Sequence, residues 1–151
     1  MIKVNVEIDN KFWNKKIKKP KKYFNNKLKK IYKFIKFFKG KNITFTILLT
    51  SSLNIKKLNK KFRNLNTATD VLSFPFFSLK SFKLKKEKNI YVGDIAVSFE
   101  IINVRSKKSN FIREFDKVWV HGLLHLVGYD HMNDQDYYKM NKVENKISNL
   151  I

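Results

Sequence analysis

The sequence predicts an α+β fold in a single domain, with a small mixed sheet of four strands, about five helices and one central, buried helix. Strand patterns come first along the chain and helix patterns dominate later, which favours helices packed on a sheet. A length of 151 residues suits one domain with a sizeable core, so we expect residues 1–151 to form one unit. The segment that begins near residue 111 is apolar on most sides of a helix, and such helices lie in the interior.

Four segments have the character of strands, because their apolar side chains alternate with polar ones or because they are rich in β-branched and aromatic residues. Pro75 has no backbone N–H to donate, so the segment that contains it belongs at a sheet edge. Gly93 marks a bulge or a close approach of another backbone in the last segment. The four predicted strands cover residues 2–8, 43–49, 71–77 and 90–97.

Apolar residues spaced three and four apart predict the helices. Gly40 is a stop for the first of them, and Ser51 or Ser52 can cap the second, for which we expect a buried stripe ending at Phe62. The residues before Pro20 and those from 78 to 89 are expected to be lysine-rich loops. The predicted helices cover approximately residues 24–38, 55–63, 99–107 and 111–126, and a last one runs from about Asp134 to the C-terminus.

The chain is strongly basic, with 33 Lys and Arg against 12 Asp and Glu and a formal net charge of +21. Residues 1–40 carry +12 and residues 41–120 carry +10, whereas residues 121–151 carry −1. This distribution suits a protein whose body binds a polyanion around a nearly neutral segment. An A+T-rich genome would also raise the lysine content, so both explanations of the charge stay open.

The sequence has no cysteine, which excludes disulfides and thiolate metal ligands and agrees with a reducing compartment. No stretch approaches the roughly 20 apolar residues that a membrane span requires, and the N-terminus opens as a strand rather than as a signal peptide. We therefore expect a cytoplasmic protein without a membrane partner.

All three histidines lie between residues 121 and 131. On a helix His121 and His125 stand one turn apart on the same side, where two imidazoles can bind one ion. Gly128 can adopt the left-handed conformation that ends a helix, so the chain can turn and bring His131 to the same ion. Three neutral imidazoles with a vacant fourth position describe a catalytic zinc rather than a structural one.

The spacing H-x3-H-x5-H is shared with zinc proteases, which place a glutamate base directly after the first histidine. Here that position is Gly122, which can neither accept a proton nor orient water, so peptide hydrolysis by that mechanism is disfavoured. Phosphodiester cleavage suits the site better, because zinc activates water and a nearby guanidinium can neutralise charge on a phosphoryl group. Asp130 can orient a histidine or can serve only the turn.

Several motifs together resemble the YbeY family of bacterial rRNA maturation factors, which are metal-dependent endoribonucleases. The most specific motif is the run from His121 to His131, HGLLHLVGYDH. Three further motifs support it, namely NKKFR ending at Arg63, TDVLSFP over residues 69–75 and GDI over residues 93–95. Asp136 departs from the pattern, since the family leads us to expect glutamate there, and the loop from 78 to 89 is unusually rich in lysine.

The resemblance implies one zinc ion on His121, His125 and His131, with His121 and Arg63 as catalytic residues and Arg63 in the cleft. It also implies a small sheet with about five helices. The implied activity is cleavage of single-stranded RNA, including maturation of the 3′ end of the small-subunit rRNA, together with ribosome quality control.

We therefore expect a zinc-dependent, single-strand-specific endoribonuclease whose partners are rRNA and the ribosome or its proteins, with no action on DNA. The main alternative is a ribosome-assembly factor that binds rRNA or a ribosomal protein and uses the metal only for structure. Whether water or the ribose 2′-hydroxyl attacks the phosphorus is not fixed by the residues.

Overall fold

The computed structural model describes residues 1–35, 38, 40–78, 87–131 and 133–151. Most of the loop expected over residues 78–89 therefore lies outside the described residues. Within them the strands are β1 (Ile2–Ile8), β2 (Asn42–Thr50), β3 (Val71–Pro75) and β4 (Asn89–Ser98). The helices are α1 (Phe12–Lys16), α2 (Pro20–Phe34), α3 (Ser52–Arg63), α4 (Phe99–Arg105), α5 (Phe111–Leu126) and α6 (Asp134–Leu150).

The four strands form one mixed sheet, as predicted, and their order in it is β1-β2-β4-β3. β1 and β4 each pair in parallel with β2, and β3 pairs antiparallel with β4 at one edge. Pro75 lies at the end of this edge strand, where its missing N–H costs no ladder hydrogen bond. The register with β2 shifts between Tyr91 and Gly93, so the bulge expected at Gly93 is confirmed.

Helices cover the two faces of the sheet unequally. The main core lies on one face, where α2 packs on β1, α5 packs on β3 and β4, and α6 packs on α5 and α2. On the other face α3 packs over β3 and β4 around a small cluster of Ile55, Leu72 and Ala96. The expected central helix is α5, and ten of its residues are buried.

Six helices are found among the described residues where about five were predicted, because the lysine-rich segment before Pro20 contains α1. Trp13 explains this helix, since its side chain is completely buried and its indole Nε1 donates to the carbonyl oxygen of Thr50 at 3.0 Å. Burial of this large aromatic ring stabilises the helix, although the segment around it is rich in lysine.

Two other expectations were wrong in detail. α2 begins at Pro20 and ends at Phe34, not at residues 24 and 38, because proline suits the first helical position and Ile35 is already extended. The stripe of α3 does not bury Phe62, which is 58% exposed, whereas Ile55 is fully buried.

No helix in the described part of the chain combines the length and the apolar character that crossing a membrane requires.

Candidate metal centre and cleft

The end of α5 returns the chain toward its own last turn. Gly128 has φ of 88° and its N–H donates to the carbonyl oxygen of His125 at 3.0 Å, while the N–H of Tyr129 donates to that of Leu124 at 2.9 Å. These two bonds form the motif that commonly ends helices at a left-handed glycine. The predicted stop is thus confirmed, and the turn after it carries His131 back toward α5.

The three imidazoles converge as the spacing predicted. One nitrogen from each of His121, His125 and His131 lies within 4.8 Å of the other two. The Nε2 atoms of His121 and His125 are 3.1 Å apart. Two nitrogens that bind one zinc ion at about 2.0–2.1 Å in a tetrahedral arrangement are about 3.4 Å apart, so this geometry suits a shared ion.

Glu144 fixes the orientation of the first imidazole. The Nδ1 atom of His121 lies 3.1 Å from the Oε1 atom of Glu144, which reaches it from α6. An Nδ1–H that donates to a carboxylate leaves Nε2 with its lone pair, and such pairs are common behind metal-bound histidines. Sequence reasoning missed Glu144, although it shares the buried stripe of α6 with Met140 and Ile147 at helical spacing.

The surroundings of His125 favour its neutral form. Burial lowers the pKa of His125, and the neighbouring His121 and His131 lower it further, whereas Asp130 opposes this change. Only a neutral imidazole can donate a lone pair to a metal. The donor set therefore fits a cation bound by nitrogen.

Gly122 allows α5 to lie close to the sheet. A Cβ atom at this position would be 3.0 Å from Cγ2 of Ile95 and 3.1 Å from Oγ of Ser73, which itself donates to the Gly122 carbonyl oxygen at 3.3 Å. The space beside Gly122 is thus filled by β3 and β4. A glutamate side chain, as proteases with this histidine spacing carry, has no room there.

Arg63 lines the same cleft as His125 and His131. α3 ends at this residue because Asn64 adopts the left-handed conformation with φ of 58°, which asparagine tolerates better than most residues. The cleft has a volume of about 1020 Å³ and opens beside His125 and His131. Its other lining residues include Ser73, Pro75, Phe77, Asp130, Asp136, Lys139 and Lys142.

Asp130 has a local partner. Its Oδ1 atom accepts a hydrogen bond from the backbone N–H of His131 at 2.8 Å, which supports the turn after α5. Its negative charge also lies close enough to His125 to raise the pKa of that imidazole. The role of orienting a histidine, which Glu144 performs for His121, stays a prediction for Asp130.

The fold and the site define a class: a small α+β protein with a three-histidine candidate metal centre that opens into a cleft containing an arginine. A family model described as Endoribonuclease YbeY matches residues 7–151. The chain belongs to this family, as the motifs around the histidines had indicated.

Similar proteins support this assignment. An Endoribonuclease YbeY from Pelagibacter ubique (strain HTCC1062) is 46% identical over 153 residues, covering 100% of this chain and 97% of the relative. A protein of the same name from Caldicellulosiruptor bescii is 36% identical, covering 74% of this chain and 75% of the relative. The solution structure of TM1509 from Thermotoga maritima matches with a TM-score of 0.62 and 26% identity, covering 98% of this chain and 87% of that one.

Proposed function

We propose that this protein is a metal-dependent endoribonuclease that cuts single-stranded RNA, with one zinc ion held by His121, His125 and His131. The observation that carries the proposal is the convergence of these three imidazoles within 4.8 Å beside a cleft that also contains Arg63. Membership of the endoribonuclease YbeY family supports the class of reaction. Three imidazole nitrogens suit zinc among other transition metals, and zinc is the ion that the family resemblance implies.

The residues of the site have distinct roles in this proposal. When bound, zinc lowers the pKa of water and polarises a phosphoryl oxygen. Glu144 holds His121 in the tautomer that presents Nε2, and His121 acts in catalysis as a ligand. The exposed guanidinium of Arg63 can contact two phosphoryl oxygens at once and neutralise the charge that develops on them.

The cleft also carries cations that suit a polyanion. Lys139 and Lys142 of α6 line the cleft together with Arg63 at the end of α3. The formal net charge of +21 adds long-range attraction for RNA.

We extend the proposal to ribosome maturation. The family resemblance supports processing of rRNA, including the 3′ end of the small-subunit rRNA, and a part in ribosome quality control. The partners would then be rRNA and the ribosome or its proteins, and the protein would act in the cytoplasm. Asp130 is proposed to help position His125 or His131 through the turn that it stabilises.

The decisive experiment combines metal analysis with cleavage of a single-stranded RNA. Purified protein should contain about one zinc ion per chain, and His125→Ala and Arg63→Ala should cut RNA at least about a hundredfold more slowly, since each removes charge stabilisation at the phosphate. Arg113→Ala is the matched control, because Arg113 is exposed at the beginning of α5 and does not line the cleft.

Two results would overturn the proposal. If His125→Ala and Arg63→Ala cut as fast as the parent protein, the activity comes from a contaminant. If the parent binds rRNA and zinc but cuts no RNA, the protein is an assembly factor with a structural metal. The products decide between the two nucleophiles, because a 2′,3′-cyclic phosphate end requires attack by the 2′-hydroxyl.

A further inference from the structure

The edge strand β3 separates two surfaces. Ser73 and Pro75 line the cleft with the histidines, as does Phe77 just after the strand. The alternate residues point to the opposite face, where Leu72 and Phe74 pack with the small cluster under α3. Because β3 is an edge strand of the sheet, the cleft and the opposite face meet across this strand.

That opposite face carries two pairs of aromatic rings, which we call the aromatic surface and define as Phe62, Phe74, Phe76 and Tyr91. The centroids of Phe62 and Phe74 are 5.1 Å apart, and those of Phe76 and Tyr91 are 6.3 Å apart. Phe62 is 58% exposed, Phe76 68% and Tyr91 37%. The Tyr91 hydroxyl donates to Asp94 at 2.5 Å, which fixes its ring on the sheet.

Cations accompany the rings. The last turn of α3 contains Lys60, Lys61 and Arg63, and the Lys61 ammonium lies 5.3 Å from the centroid of the Phe62 ring. Exposed aromatic rings interleaved with lysine and arginine are the composition that binds single-stranded nucleic acid, since bases stack on the rings and phosphates meet the cations. An apolar protein partner would have to desolvate these charges without compensation.

The aromatic surface is continuous with the cleft. Phe62 directly precedes Arg63, which lines the cleft, and Phe76 stands between two cleft residues, Pro75 and Phe77. An RNA strand that leaves the cleft past Arg63 therefore reaches both exposed phenylalanines by crossing the edge of the sheet.

We propose that the aromatic surface binds the bases of nucleotides next to those in the cleft, by stacking on Phe62 and Phe76. This inference rests on the proposed endoribonuclease function. It also supplies a physical reason for a preference for single strands, because bases in a duplex are already stacked and paired and cannot reach the rings.

The test measures how the affinity for RNA depends on RNA length, in the parent and in variants of the aromatic surface. Affinities of the zinc-loaded protein for fluorescent single-stranded RNAs of about 4 and about 12 nucleotides are measured by anisotropy, and the RNA is checked afterwards for cleavage. The parent should bind the longer RNA more tightly. In Phe76→Ala and Phe62→Ala this gain with length should fall roughly tenfold, the loss expected for one stacked base.

Three variants serve as controls. Leu53→Ala truncates another exposed apolar side chain of α3, 64% exposed and nine positions before Phe62, and should keep the gain with length. Phe76→Trp retains an aromatic ring and should also keep the gain in affinity with RNA length. Phe76→Leu retains an apolar side chain without a π face and should lose the gain in affinity with RNA length.

The outcomes separate this inference from the proposed function. If the parent cuts RNA but Phe76→Ala and Phe62→Ala show the same gain with length as Leu53→Ala, stacking is rejected and the nuclease proposal stands. If Phe76→Leu behaves like the parent, the surface makes a general apolar contact of the kind a protein partner uses, and stacking is again rejected. If the parent neither binds nor cuts RNA of either length, both proposals fall.

Discussion

The carboxylate of Glu144 and the imidazole of His121 join α6 to the candidate metal centre, with Oε1 and Nδ1 3.1 Å apart. Each residue is only partly exposed, so water competes weakly for the contact. The pair fixes which nitrogen of His121 carries the proton, and with it the direction of the lone pair on Nε2. α6 thereby contributes to the site without supplying a ligand.

We expect Glu144→Ala to weaken zinc binding by about 10- to 100-fold, the usual effect of losing a carboxylate behind a metal-bound histidine. The measurement is competition with a chromophoric chelator at fixed pH. Glu114→Ala is the matched control, because Glu114 lies in the first turn of α5, where its carboxylate accepts hydrogen bonds from Ser109 and Lys117. Equal zinc affinities for the two variants would show that Glu144 does not orient His121.

The histidine site could be predicted from the sequence because its determinants are local. The spacing of His121 and His125 and the left-handed turn at Gly128 lie in one helix and its end. Phe62, expected to be buried, and the segment around Trp13, expected to be a loop, were misjudged for the opposite reason. The exposure of Phe62 depends on where α3 runs past the sheet, and the helix around Trp13 depends on an indole that reaches β2. Neither follows from the spacing of neighbouring residues.

Glu144 illustrates an intermediate case. Met140, Glu144 and Ile147 share a face of α6, so an acidic residue in an otherwise apolar stripe was visible in the sequence. Its partner was not, because only the packing of α6 against α5 brings the carboxylate to His121. A charged residue in a buried stripe indicates that it has a partner, but only the tertiary structure identifies that partner.

A second prediction concerns the close approach at Gly93. A Cβ atom there would lie 2.1 Å from the carbonyl oxygen of Phe74 and 3.1 Å from a methyl group of Leu126, and the residue has φ of +133°. We expect Gly93→Ala to lower the free energy of unfolding by about 3–4 kcal/mol, because the clash adds to the backbone strain. Chemical denaturation measures this loss.

Gly40→Ala is the matched control for that prediction. Gly40 also has a positive φ, +78°, but a Cβ atom there would meet no atom of the described residues within 4 Å. Gly40→Ala should therefore lower the free energy of unfolding by the cost of the left-handed conformation alone, about 1–2 kcal/mol. Equal losses in the two variants would mean that the neighbouring strand moves aside without cost and that Gly93 is not required for the close packing of β3.

A third prediction follows from the partly buried hydrogen bond that the Tyr23 hydroxyl donates to Asp116. Burial raises the pKa of the Tyr23 hydroxyl well above its usual value, and the negative charge of Asp116 raises it further. A tyrosine whose pKa is higher in the folded state stabilises the fold below about pH 10, where the unfolded chain is also neutral. That stabilisation is lost as the pH rises and the unfolded chain ionises.

The expected result is a difference that depends on pH. Tyr23→Phe should be less stable than the parent at pH 8 by about 1–2 kcal/mol, since Asp116 loses one hydrogen bond and keeps Lys27 and Trp119 as partners. The two proteins should approach each other in stability above about pH 10. Tyr138→Phe, at a ring that is 68% exposed, is the control. A constant difference from pH 8 to 11 would contradict the prediction.

A fourth prediction uses the exposure of His131 to separate metal binding from folding. His131 is exposed in the turn after α5, so removing its side chain costs little packing, yet its imidazole is one of the three that converge. Parent and His131→Ala should therefore unfold at nearly the same temperature in a chelator. Added zinc binds the folded state and should stabilise the parent more.

With zinc at a hundred times its dissociation constant, the parent should gain about 2.7 kcal/mol, which is roughly 5–10 °C in Tm for a chain of this size. His131→Ala keeps two imidazoles, which bind more weakly, so the same zinc concentration should shift its Tm by much less. Thermal unfolding with and without zinc measures both shifts. Equal shifts in the two proteins would remove His131 from the ligand set, and a lower Tm for His131→Ala in chelator would assign it a packing role instead.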